Sequence, residues 1–136
     1  MSISRFVGFA ITLLLSSLAL AHHDPGDVTK GQVVKWPATV TDISWDGAHV
    51  MYRVDVKDEQ GVVTNWQVLG ASPNRLRMRG IVKEDIRKHD AIVVAGYFDR
   101  YKKSVSPVYF LLADGRKLFV GYFTNDDQFA ALESKP

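Results

Sequence analysis

The chain has 136 residues, 46% of them hydrophobic, with 17 basic against 15 acidic side chains and no cysteine. These values fit one small domain with a single core. They exclude disulfides, thiol catalysis, Cys-based zinc or iron–sulfur sites and a lipid-modified cysteine, and so even a charge balance is a poor footprint for a nucleic-acid binder.

Residues 1–21, MSISRFVGFAITLLLSSLALA, carry one charge at Arg5, an apolar run from Phe6 to Leu15, and small residues at Ala19 and Ala21. This is the form of a cleaved secretory signal with an A-x-A site, and the run is short for a membrane span of roughly 20 residues. The mature chain then opens at His22 and His23 and is expected in the periplasm or secreted, with no membrane attachment after cleavage. A free amino terminus beside an imidazole is a ready chelate for Cu(II) or Ni(II), which makes His22 and His23 candidate metal ligands. A mobile polar terminus is the plainer account of both.

From Gly31 to Trp45 the apolar residues Val33, Val34, Trp36, Val40, Ile43 and Trp45 predict one long strand whose phase slips between Val40 and Ile43. A β-bulge near Thr41 and Asp42 would repair the phase and let the strand curl to serve two sheets of a small barrel. Pro37 has no N–H for a ladder and belongs at an edge or near that bulge. Asp46-Gly47 reads as a tight hairpin turn. Val50, Tyr52, Val54 and Val56 then alternate with mostly polar residues, the pattern of a strand with one buried face. His49 shares the parity of Met51 and Arg53, so its ring is expected to point outward at the hairpin mouth, the third candidate metal ligand. An isolated exposed histidine more often has no such role, and His89 is a further one.

Asp58-Glu59-Gln60-Gly61 forms the next turn, and Val62–Val68 the third strand, with Trp66 and Val68 on one face. Ser72-Pro73-Asn74 starts a short helix: Ser72 caps, Pro73 suits the first turn, Leu76 points inward and Gly80 ends it. Its other face carries Arg75, Arg77 and Arg79, either an anion grip or a solvated row suited to a helix C-terminus. The acidic pairs Asp58-Glu59, Glu84-Asp85 and Asp126-Asp127 read as solvated turns, since neighbours in sequence do not by themselves converge on a substrate.

Ala91–Tyr97 and Val105–Ala113 predict two strands that are apolar on both faces, so something must cover the outer one. Candidates are the chain's own C-terminal segment, a second copy forming a homodimer, or a partner protein. After Asp114-Gly115, Lys117–Thr124 reads as a sixth strand with Leu118, Val120 and Tyr122 on one side and Phe119 and Phe123 on the other. Residues 125–136 form a tail with a short helix, whose Phe129 and Leu132 are the preferred cover.

The order is that of an all-β, OB-like Greek-key barrel over residues 22–124, five to six strands with one short helix between strands three and four. His22-His23, the W-x-x-x-x-x-S-P-N-x-L-x-x-x-G run from Trp66 to Gly80, and Asp114-Gly115-Arg116 together resemble a family of small exported bacterial proteins of unknown function. The resemblance extends to about Gly121, and Ser72-Pro73-Asn74 is its most specific piece. Asp46-Gly47-Ala48-His49 stands where that family has Asn-Pro-His, and Leu69 where it has an acidic residue, which removes a carboxylate from any shared metal site. The resemblance implies fold and compartment and transfers no mechanism.

No G-x-S-x-G, H-E-x-x-H or phosphate-cradling glycine loop is present, so no catalysis and no resident cofactor are expected. The expected function is an exported binding or interaction module for a small ligand or a periplasmic protein. Copper or another divalent metal on His22, His23 and His49 is the alternative. Tyr97, Phe98, Arg100, Tyr101, Lys102 and Lys103 offer the aromatic and basic mix of an OB-fold nucleic-acid face, an analogy that an exported protein has little use for.

Overall fold

A computed structural model describes residues 32–133, without the side chains of 132 and 133; residues 1–21, expected to be a signal segment, and His22 and His23 lie outside the described residues, as does the side chain of Leu132. The elements in order are β1 (Val34–Ser44), β2 (Met51–Lys57), β3 (Val63–Leu69), α1 (Pro73–Met78), a single 3-10 turn (Lys83–Asp85), β4 (Ala91–Asp99), β5 (Ser104–Leu112), β6 (Lys117–Leu118) and α2 (Asp126–Glu133). The strands form one sheet in the order β3-β2-β1-β4-β5-β6, and a parallel β3–β5 pairing curls it into a barrel. That seam is two residue pairs long, Gln67 with Ser104 and Val68 with Val105. The result is the expected small all-β barrel: five closed strands, a helix between β3 and β4, and a short extra strand.

The bulge in β1 is where the phase slip placed it. Residues 34–39 pair with β4, residues 39–44 pair with β2, and the register shifts between Val40 and Asp42. The loop before β4 ties off the break: the Val40 N–H donates to the Asp90 carbonyl at 3.0 Å and the His89 N–H to the Val40 carbonyl at 2.7 Å. Pairing with β2 begins only at Thr39, so Pro37 has one strand neighbour, β4.

Alternation along β1–β5 aims Trp36, Tyr52, Trp66, Phe98 and Phe110 into the barrel. Trp66 meets Phe98 edge-on at 5.3 Å and Trp36 at 5.4 Å, and Tyr52 meets Phe110 edge-on at 5.0 Å. The Tyr52 hydroxyl is buried with no hydrogen-bond partner among the described residues, and burial pushes its phenol far above the ordinary range. Trp45 packs against this core from its rim, half-buried rather than central.

Two expectations are corrected. Asp46-Gly47 does not form a two-residue turn: six residues separate β1 from β2, and Gly47 is not among the glycines with positive φ. The loop is drawn instead toward the end of β3, where the Val50 N–H donates to the Ala71 carbonyl at 3.0 Å and the Gly70 N–H to the Val50 carbonyl at 2.8 Å. The sixth strand is two residues long rather than eight. Extending its register of Phe110 with Leu118 would bring Pro107 opposite Gly121, and a proline offers the ladder no N–H.

The outer apolar face of β4 and β5 is covered by the chain itself. Ala95, Val108 and Tyr109 form a second buried cluster against which Phe119, Phe123 and Phe129 pack. Lys117 secures this layer, its ammonium 2.6 Å from Asp126 at the start of α2 and 4.7 Å from the centre of the Tyr109 ring.

One ion pair makes stability depend on pH. Asp85 in the 3-10 turn accepts from Arg116 at 2.8 Å and from the Val82 N–H at 2.8 Å, which holds its carboxyl below the ordinary carboxylate range. The depressed group stabilises the fold fully above its unfolded value of about 4, and the contribution is lost as pH falls through the lower folded value. Urea midpoints measured from pH 7 down to pH 3, values spanning about that window, should fall less steeply for Asp85→Asn than for the native chain. Equal slopes would show that Asp85 plays no part.

Candidate functional site

The most chemically mixed place in the described chain is where the end of β3, α1 and the segment after β6 meet. Gly70 lets them approach: a Cβ there would lie 3.1 Å from the Val50 carbonyl oxygen, 3.2 Å from the Tyr52 ring and 3.2 Å from the Val120 carbonyl oxygen. The Ala71 N–H donates to that Val120 carbonyl at 2.7 Å. His49, outward as its parity predicts, lies alongside, its Nδ1 3.0 Å from the Gly70 carbonyl oxygen. A carbonyl only accepts, so Nδ1 carries the proton and Nε2 is the ring's remaining nitrogen.

The helix forms as its sequence signals require. The Ser72 hydroxyl accepts from the Arg75 N–H, Pro73 occupies the first turn, Leu76 is fully buried, and Gly80 takes a φ of 75° beyond the end. Its arginines divide. Arg75 and Arg77 are exposed as expected, with Arg77 bonded to the Asn74 side chain at 3.0 Å. Arg79 is half-buried and donates to the carbonyls of Phe119 and Gly121, each at 2.7 Å, and of Phe123 at 3.4 Å. Burial lowers its pKa from the ordinary guanidinium value, and the neighbouring charge of Arg75 adds to the effect. This arginine is a clasp on the C-terminal segment; the expected solvated row stops at Arg77.

Two cavities flank the clasp. One, of about 400 Å³, is lined by His49, Leu69, Gly70, Ala71, Arg75, Tyr97, Ser106, Pro107, Gly121, Tyr122 and Phe123. The other, of about 800 Å³, lies among Arg75, Met78, Arg79, Tyr122, Phe123, Thr124, Gln128 and Ala131. They share Arg75, Tyr122 and Phe123, and the apolar rim is open to water: Met78 is 87% exposed, Tyr122 84% and Leu69 46%. The first volume lies in the range of small-molecule pockets.

Of the candidate metal ligands among the described residues, His49 enters this groove, and Arg75 of the helix row lines both cavities. His89 sits at the β1 bulge with a φ of 74°, and the described residues hold no group of three or more His, Cys, Asp or Glu side chains placed to share a metal ion. Sequence reasoning missed Ser106 and Tyr122 as groove residues and named Tyr97 only for a nucleic-acid face. Tyr122 was expected in phase with Leu118 and Val120 on a strand; the available signal was Pro107, which ends the pairing and turns the tyrosine out.

No curated protein and no solved structure matches the chain. A family model does match, over residues 11–106, most of the chain's length. The chain therefore belongs to the Family of unknown function (DUF6152).

Proposed function

We propose that the chain is an exported, non-catalytic binding module, and that its ligand occupies the groove between His49, Arg75 and Tyr122. The observation that carries this is the apolar cavity of about 400 Å³, floored by the barrel and walled by the C-terminal segment, with an imidazole and a guanidinium in its lining. Export rests on the leader-like residues 1–21, and the absence of catalysis on the missing nucleophile and acid–base motifs. A neutral reporter tests the groove. Nile red should bind the purified protein saturably at one site, and Ser106→Trp, which fills the cavity from an exposed strand position, should abolish that binding without altering the far-ultraviolet dichroism. Unchanged binding in Ser106→Trp would place the ligand elsewhere.

A second reading, copper or another divalent metal bound through His22, His23 and His49, is favoured by one contact. The Nδ1–H bond of His49 to Gly70 is the outer hydrogen bond that commonly orients a metal-ligating imidazole and leaves Nε2 for the ion. Copper titration of the native protein should then show affinity that falls with His49→Ala as well as with His22→Ala and His23→Ala. An affinity no greater than that of a peptide spanning the mature start would end this reading.

A further inference from the structure

Building on the groove reading above, we infer that the ligand is an anionic amphiphile: a molecule with one carboxylate held by Arg75 and an apolar tail lying in the cavity beside it. The tail follows from the walls, where Leu69, Ala71, Tyr97, Pro107 and Phe123 supply mostly carbon surface. The second cavity continues past Arg75 to Met78, so a chain longer than the first cavity has somewhere apolar to run.

The head group follows from the charges. Of the other cations, Lys117 pairs with Asp126 and Arg116 with Asp85 and Asp114, while Arg77 donates to the neutral Asn74 amide and lines neither cavity. Arg79 Nη1 donates to backbone carbonyls, which are dipoles without net charge, and Arg79 has no ion pair among the described residues, so its positive charge is left uncancelled. Arg75 is close enough for the two charges to repel, and its guanidinium makes no hydrogen bond or ion pair among the described residues. Among the described residues no carboxylate lines either cavity. A ligand carboxylate at the shared lip satisfies the Arg75 fork with two parallel hydrogen bonds and relieves that repulsion. The second ring nitrogen of His49 adds another polar contact in the same lining.

Titration calorimetry of the full protein with decanoate and with decanol, both below their aggregation limits, reads the head group apart from the tail. Decanoate should bind at least about tenfold tighter than decanol, an advantage of the size a charge-assisted pair supplies. Arg75→Ala should reduce decanoate to the level of decanol, and Arg75→Lys should restore part of the difference; the exposed position of Arg75 leaves the fold intact, as dichroism will verify. Equal binding of the two probes by the native protein, or a preference that survives Arg75→Ala, overturns the inference. If neither probe binds while Nile red still does, the amphiphile is wrong and the groove stands; if Nile red also fails, both fall.

Discussion

Trp66→Ala should destabilise the barrel by about 3–5 kcal/mol, because it empties the place where the largest fully buried side chain meets two other rings. The rings of Trp36 and Phe98 lose their common partner, and neighbours fixed by the β-ladder cannot close around the space. Urea unfolding should show the midpoint falling by more than about 1 M. Trp66→Phe provides the calibration. The indole N–H makes no hydrogen bond among the described residues, so phenylalanine forfeits mainly volume and should cost under about 2 kcal/mol. A Trp66→Ala midpoint close to native would mean that the ring does not plug the barrel.

The second large effect belongs to a glycine and acts on a different part of the molecule. A Cβ on Gly121 would penetrate the carbonyl oxygen of Pro107 and lie 2.8 Å from its carbonyl carbon, so Gly121→Ala cannot be absorbed without moving backbone from backbone. The least tightly held partner moves. The segment after β6 should lift from β5, at about 1–3 kcal/mol for the overpacking. Loss of the two short Arg79 bonds, to Phe119 and Gly121, adds about 1.5–3 kcal/mol for each charge-assisted bond broken. Limited proteolysis should then cut between residues 119 and 133 in Gly121→Ala and spare them in the native protein. The near-ultraviolet dichroism of the interior tryptophans should persist in both. Simultaneous loss of the tryptophan signal would make tail and barrel one cooperative unit.

How far these features were readable beforehand depends on whether local pattern or distant contact decides them. The alternation of Val50, Tyr52, Val54 and Val56, the slip after Val40, and the Ser72-Pro73 start all act within a few residues, and each element formed where those residues place it. Doubly apolar β4 and β5 announced a cover, and Phe129 was picked out for it. What could not be read was decided at long range. Arg79 looks like Arg75 and Arg77 in sequence, and only the approach of carbonyls more than forty positions away turns it into a clasp. The Asp46-Gly47 turn was out-competed by hydrogen bonds to Gly70 and Ala71, some twenty residues on. The groove itself is assembled from five stretches of chain, and no stretch alone carries its signature.

Closure of the cylinder through only Gln67–Ser104 and Val68–Val105 sets the order of events as the chain folds. The hairpins β1–β2, β2–β3 and β4–β5 join neighbours in sequence and can zip early, whereas β1–β4 and β3–β5 unite distant stretches and must wait for collapse; of these two, β1–β4 is held by six residue pairs and the β3–β5 stitch by two. The amides of this short stitch should accordingly be the last of the barrel strands to gain protection from solvent exchange during refolding and the first to lose it when the native molecule breathes.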